Sequence, residues 1–189
     1  EIYTLSLHDA LPISIHHFAV GKTTFVGTLS EIRPLRTEER MTQAGAAVDD
    51  LAGIKDKTTT TVALDFGRLT LSDDIVLYLF GAPGQQRFNR LWDDLARGAL
   101  GALVLVDTAR LEQSFAVMDI VEKQGLPYAV AVNHFDDSPA FPDEEVREAL
   151  DLAPGTPLVN CDARDRRSST EALISLVDHL VTTTREKQK

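Results

Sequence analysis

Apolar positions along this chain gather into short runs separated by longer stretches of helical period. Runs rich in β-branched and aliphatic residues predict strands over 60–66, 75–80, 101–106, 128–132 and 157–160. Segments with apolar residues three and four apart predict helices over 22–30, 91–97, 111–124, 143–150 and 170–182, with Asp143 in an acidic first turn and Gly125 as a C-terminal stop. This alternation predicts an α/β fold, a mostly parallel sheet covered by helices on both faces, with ligand chemistry at the carboxyl ends of the strands. One stretch breaks the rhythm. Residues 31–58 are polar and without a clear period, and a loop of that size in a compact domain is usually functional or disordered.

The first predicted helix opens on Val20-Gly21-Lys22-Thr23-Thr24, the second half of the phosphate-loop pattern G-x-x-x-x-G-K-[ST]; His16 stands where the first glycine belongs. In that pattern successive N–H groups from Val20 to Thr23 cradle phosphate oxygens, Lys22 reaches the β- and γ-phosphates, and the Thr23 hydroxyl ligates Mg²⁺. A bare Gly-Lys-Thr also occurs by chance, so its structural context has to decide.

In front of the motif, Thr4 to Ile13 reads T-L-S-L-H-D-A-L-P-I. It resembles, residue for residue, the translation of a common sequencing-library adapter. Residues 1–17 are therefore expected to be a foreign, artefactual segment outside the fold, and 18–189 a single domain. The rival reading is a genuine strand over 11–15, but Pro12 suits only a strand's start or edge.

Composition narrows the class. The 189 residues are 43% hydrophobic and 25% charged, with a net charge of −10, which fits one soluble domain that repels nucleic acid and anionic membrane. The single Cys161 excludes an internal disulfide and fits a reducing cytosol, where it reads as an inert small residue. No apolar run approaches the length of a membrane span, so no membrane insertion is expected.

Four further clusters fall where such a sheet would put its ligand loops. Thr58 to Thr61 either starts a strand, as β-branched residues favour, or supplies a hydroxyl, best Thr61, to Mg²⁺ and a γ-phosphate. Gly81-Ala82-Pro83-Gly84-Gln85 is either an ordinary Pro-Gly turn or one in which the Gly84 N–H approaches a terminal phosphate and Gln85 orients water. Asn133-His134-Phe135-Asp136 is an Asx-rich loop start. Its alternative role is to let Asp136 accept from the guanine N1–H and exocyclic amine while Asn133 ties the loop to the phosphate loop. In Asp162-Ala163-Arg164 the Ala163 N–H can donate to guanine O6, although turn chemistry explains this cluster equally well.

In this order the clusters resemble the Ras-like small GTPase superfamily, over nearly all of 18–181. Gly21 to Gly27, Ser30 to Arg36, Leu64-Asp65-Phe66-Gly67 and Gly84-Gln85-Gln86-Arg87-Phe88 are similar to the actinobacterial GTP-binding proteins of conservon operons, relatives of the bacterial gliding-motility GTPases. The resemblance implies a P-loop NTPase fold with a six-stranded sheet, its first strand lost or substituted. It implies a cytoplasmic GTP/GDP and Mg²⁺ switch, peripheral to the membrane through partners, in which 31–61 and 81–90 respond to nucleotide. Thr23 and Thr61 would ligate Mg²⁺, Lys22 would stabilise phosphate charge, Gln85 would position water, and Gly84, Thr24, Asn133, His134, Asp136 and Ala163 would complete the nucleotide site. A roadblock-type small protein and a sensor histidine kinase are the implied partners.

Three positions depart from the superfamily's pattern. Gly81 replaces the aspartate of D-x-x-G, so a contact to Mg²⁺ is expected to be missing. His134 replaces the lysine of N-K-x-D. His16 is expected to be forced into a loop geometry normally left to glycine. No arginine finger can be assigned, since Lys55, Lys57 and Arg87 read as surface charges, so hydrolysis is expected at roughly 10⁻⁴ to 10⁻² per second. Two other classes compete with the GTPase reading: an ATP-using P-loop enzyme, and a nucleotide-free interaction module that keeps only the fold.

Overall fold

The computed structural model describes residues 11–16, 20–41, 60–72, 75–83, 95–96 and 98–187. All five predicted strands form, as β3 (Thr60–Ser72), β4 (Ile75–Pro83), β5 (Ala99–Val106), β6 (Tyr128–Asn133) and β7 (Leu158–Cys161). Two more join them: β1 (Leu11–His16) and β2 (Leu35–Met41). Among the described residues the sheet therefore has seven strands, in the order β2-β3-β4-β1-β5-β6-β7, where six were expected. Strands β4, β1, β5, β6 and β7 run parallel, while β3 is antiparallel to both β2 and β4.

Neither addition is among the five predicted strands, although a strand over 11–15 was the rival reading for β1. β2 reads L-R-T-E-E-R-M and comes from the polar 31–58 stretch; among the described strands it is the sheet edge, paired with β3, so it needs no continuous apolar run. β1 occupies the centre and is drawn from the adapter-like segment expected to lie outside the fold. Pro12 is tolerated there because the pairing register with β5 shifts between Leu11 and Pro12, and the register with β4 begins only at Ile13. His16 is also corrected. It ends β1 in extended conformation opposite Pro83 and Leu105, and among the described residues Asp151 is the non-glycine with positive φ.

The helices whose full extent is described are α1 (Lys22–Leu29), α2 (Phe115–Lys123), α3 (Asp143–Ala149) and α4 (Arg166–Lys187), with a 3₁₀ segment over Thr108–Gln113. The single helix predicted over 111–124 divides at Ser114: its first residues, through Gln113, belong to the 3₁₀ segment, and α-helix runs only over Phe115–Lys123. Most of the helix predicted over 91–97 lies outside the described residues. The central strands alternate their side chains between two cores. Leu103, Leu105, Ala129 and Ala131 pack under Phe25, Val26 and Leu29 of α1 and Ala172, Leu173 and Leu176 of α4. Ala102, Val104, Val106, Val130 and Val132 pack under Val117, Met118 and Val121 of α2 and Val146 of α3. Burial on both faces is why these strands read as unbroken apolar runs.

The far end of α1 is strapped to β3. The Arg68 N–H donates to Ser30 Oγ at 3.2 Å, and the Glu31 carboxylate accepts the Thr70 N–H and hydroxyl at 3.0 and 2.9 Å. With one end held, the helix presents its N-terminus at the carboxyl edge of β1, where successive connections leave towards opposite sides of the sheet. Among the described residues no helix is long and apolar enough to cross a membrane.

Candidate nucleotide-binding site

Gly21 opens α1 with φ +91° and leaves the helix start without a side-chain cap. A Cβ there would stand 2.5 Å from Asn133 Nδ2, so both backbone conformation and space demand glycine. The uncapped N–H groups of Lys22, Thr23 and Thr24 face the carboxyl edge, with no acidic residue in the first turn to neutralise them. That arrangement favours an anion. Val20 is buried behind them, its carbonyl accepting from Asn133 Nδ2 at 3.0 Å.

The missing acid at Gly81 is answered from the neighbouring strand. Asp65 of β3 lies directly opposite Gly81 of β4 in the antiparallel register. It is 3% exposed. Lys22 Nζ pairs with its carboxylate and also donates to the Gly81 carbonyl at 3.1 Å, while the Thr23 hydroxyl donates to Asp65 Oδ2 at 2.7 Å. A Cβ at Gly81 would lie 2.9 Å from Lys22 Cγ and Cδ and 3.1 Å from Asp65 Cβ. The lysine stem thus occupies the space that a side chain at 81 would need. Position 81 itself carries no acid; the carboxylate beside Lys22 and Thr23 stands one strand over. Hydroxyl and carboxylate oxygens adjacent to a phosphate site are the hard donors Mg²⁺ takes, one or two from protein with phosphate and water completing the shell, so Thr23 and Asp65 fit that ion.

At the other side of the phosphate loop, Asn133 ends β6 at 3% exposure and bridges two segments. Besides holding Val20, its Oδ1 accepts the Ala163 N–H at 2.9 Å. The Ala163 N–H, expected to reach a guanine O6, is engaged by Asn133 in this structure. The Ala163 carbonyl accepts the Thr28 hydroxyl at 2.7 Å, and Arg166 donates to the Thr28 carbonyl at 2.9 Å, so the loop after β7 is fastened to α1. His134 is exposed, with its N–H donating to the Cys161 carbonyl at 2.7 Å. The Asp136 side chain is 81% exposed and lies 3.5 Å from Arg164 Nη2. Arg164 also donates to both oxygens of Asp162 at 2.9 Å. Those bonds, with the Arg164 N–H, hold the Asp162 carboxyl below its ordinary range; the two carboxylates in turn push the guanidinium up. Burial pushes the Cys161 thiol up to about 11, against hydrogen bonds from Ser169 and Ser168.

The structure thus brings Val20, Gly21, Lys22, Thr23, Thr24, Asn133 and Ala163 together, with His134 and Asp136 on the adjoining loop. Gly84 and Gln85 lie outside the described residues. Thr61 belongs to β3, paired with Arg40; four residues of extended chain set it about 13 Å from Asp65, so the ladder does not bring it beside Thr23. Sequence reasoning quoted Asp65 as part of a motif without giving it a role. The available signal was a lone acid in the apolar run T-V-A-L-D-F, which a half-buried strand keeps only for a partner.

Over 91 residues the chain is 30% identical to an uncharacterized protein of Methanocaldococcus jannaschii, an alignment spanning 47% of this chain and 58% of that one. Its fold is similar to the crystal structure of the cytosolic domain of the T. maritima FeoB iron transporter in a GDP form, with TM-score 0.64 and 16% identity over 92% of this chain and 64% of that chain. The chain spans less than two thirds of either protein's length, and at this identity the second likeness is one of fold: a P-loop NTPase sheet flanked by helices. A family model matches residues 15–183, from the end of β1 through most of α4, and the chain belongs to that P-loop family, described as conserved hypothetical ATP binding proteins.

Proposed function

We propose that this protein is a guanine-nucleotide switch with slow, Mg²⁺-dependent GTP hydrolysis. The observation that carries the reading is Asn133, which joins the phosphate loop at Val20 to the loop after β7 at Ala163 and so places the Asp136 loop beside the phosphate site. The GDP form of the FeoB cytosolic domain, similar in fold, favours the guanine reading over the adenine one that the family's description carries.

In this reading the uncapped start of α1 binds the phosphates. Lys22 would turn from Asp65 towards phosphate oxygen as substrate charge arrives, and Thr23 and Asp65 would hold Mg²⁺, which when bound would neutralise phosphate charge. Asp136 exchanges its long contact with Arg164 for the base, whose N1–H and amine adenine lacks. Gln85 is proposed to orient water, on the resemblance alone, as are the roadblock-type protein and sensor histidine kinase as partners.

Calorimetric titration with a non-hydrolysable GTP analogue and its ATP counterpart, each with Mg²⁺, tests the reading. Micromolar or tighter binding of the guanine analogue alone is expected. Equal affinity for both would replace it with an ATP-using P-loop enzyme; binding of neither would replace it with an interaction module.

A further inference from the structure

At the carboxyl end of β5 a buried carboxylate joins two loops. Asp107 is 1% exposed. Its Oδ1 accepts the Ala109 N–H at 2.9 Å and the Ser138 hydroxyl at 2.5 Å, and its Oδ2 accepts Arg110 Nε and Nη2, each at 3.1 Å. The next residue adds a second tie: the Thr108 hydroxyl donates to the Pro139 carbonyl at 2.6 Å. The bonds from Ala109 and Arg110 are what an aspartate capping the following 3₁₀ segment makes for itself. The bond from Ser138 is different, because it reaches across 31 residues to another loop.

That loop carries Asp136. On its near side the His134 N–H is held by the Cys161 carbonyl, and within it the Ser138 N–H donates to the Phe135 carbonyl at 3.1 Å. Asp136 thus sits on a short turn anchored at 134 and again at 138 and 139. Its own side chain is 81% exposed, so the anchors rather than packing decide where its carboxylate points. Reading guanine needs both carboxylate oxygens aligned with two donors at once, and hydrogen bonds weaken steeply with misalignment.

We propose that Asp107 and Ser138 are a positioning pair that aims Asp136 at the base and so sets the protein's preference for guanine. The inference rests on the guanine reading of Asp136. Since Asp107 is buried and its carboxylate is engaged on both oxygens, it is a fixed acceptor for the Ser138 hydroxyl, and the loop keeps one geometry before ligand arrives.

The test uses the whole chain and measures dissociation constants for GDP, inosine diphosphate, which lacks the exocyclic amine, and ADP. The variants are Ser138→Ala, Ser138→Thr, Asp136→Ala and the double Ser138→Ala/Asp136→Ala. Ser138→Ala is expected to weaken GDP about tenfold and to lower the GDP-to-inosine-diphosphate ratio towards that of Asp136→Ala. Threonine, which keeps the hydroxyl, restores it. In the Asp136→Ala background the serine change adds less than about twofold, because the two act as one unit. Amide exchange at 135–137 should quicken about fivefold in Ser138→Ala even without nucleotide. If wild type discriminates and Asp136→Ala does not, but Ser138→Ala discriminates as well as wild type, the positioning role alone falls. It also falls if the serine effect is equally large with and without Asp136. If wild type and Asp136→Ala show the same ratios, the guanine reading itself falls and takes this inference with it.

Discussion

Replacing Asp65 by alanine separates the fold's need for this carboxylate from the site's. Asp65 is 3% exposed and receives both Lys22 Nζ and the Thr23 hydroxyl; the Lys22 side chain is 15% exposed. Breaking a buried ion pair from one side costs roughly 3–5 kcal/mol when the surviving charge has nowhere to go. Lys22 keeps the Gly81 carbonyl at 3.1 Å and has an opening to water, so the cost falls to about 2 kcal/mol. For a chain of 189 residues that lowers Tm by about 4–8 °C, read by circular dichroism. Nucleotide binding should respond in two ways. Without Mg²⁺, affinity for GDP should hold or rise, because Lys22 no longer leaves a carboxylate to reach phosphate. With Mg²⁺, the affinity of the nucleotide complex for the ion should fall about 10–100-fold, followed by displacement of a fluorescent GDP analogue across a Mg²⁺ series. An unchanged Tm together with an unchanged Mg²⁺ dependence would refute the assignment of Asp65 to this site.

Three further outcomes follow from the geometry. Asn133→Ala leaves the Val20 carbonyl and the Ala163 N–H without their side-chain partner in a buried setting, and should cost about 3 kcal/mol in chemical denaturation; a loss under about 1 kcal/mol would mean the bridge is incidental. Burial works to raise the Asp107 carboxyl, but hydrogen bonds from Ser138, the Ala109 N–H and Arg110 hold it below its ordinary 3.8. Its stabilisation is therefore complete above that value and lost as pH falls through the lowered native one, so Asp107→Asn should flatten the acid limb of stability below about pH 4; an unchanged limb counts against it. Cys161 is 2% exposed with its thiol pushed up to about 11, so iodoacetamide at pH 8 should label unfolded but not native protein, as mass spectrometry would show.

Much of the sheet was legible because its central strands are buried on both faces and so read as continuous apolar runs. β5 and β6 are clear cases, with Ala102 to Val106 and Ala129 to Val132 alternating between two cores. What escaped were strands whose place depends on neighbours rather than on their own pattern. β2 is a polar edge, specified by its antiparallel register with β3 from Leu35 opposite Phe66 to Met41 opposite Thr60. β1 carries a proline that argues against a central strand, yet Pro12 sits where the register with β5 shifts by one residue and ahead of the first pairing with β4. The phosphate loop was legible from Gly21 onwards, since Gly-Lys-Thr encodes a backbone conformation and two side chains in consecutive positions.

The acid at the phosphate site shows why motif reading reached only part of the chemistry. A motif is written along one strand, but a site is assembled across several, and the register that joins them is absent from the local pattern. Read along β4, Gly81 is an aspartate lost. Read across the ladder, Gly81 is the vacancy that lets the Lys22 stem through to Asp65, whose carboxylate comes from the residue paired with it. The two positions constrain each other: a side chain at 81 would push on Lys22 Cγ and Cδ at 2.9 Å, and glycine at both 65 and 81 would remove the carboxylate that Lys22 pairs with. Gly81→Asp alone should therefore destabilise the fold and disturb Lys22, whereas joined to Asp65→Gly it should recover part of the loss. A double-mutant cycle in thermal denaturation measures this directly, and strict additivity of the two changes would show that the strands do not share the role.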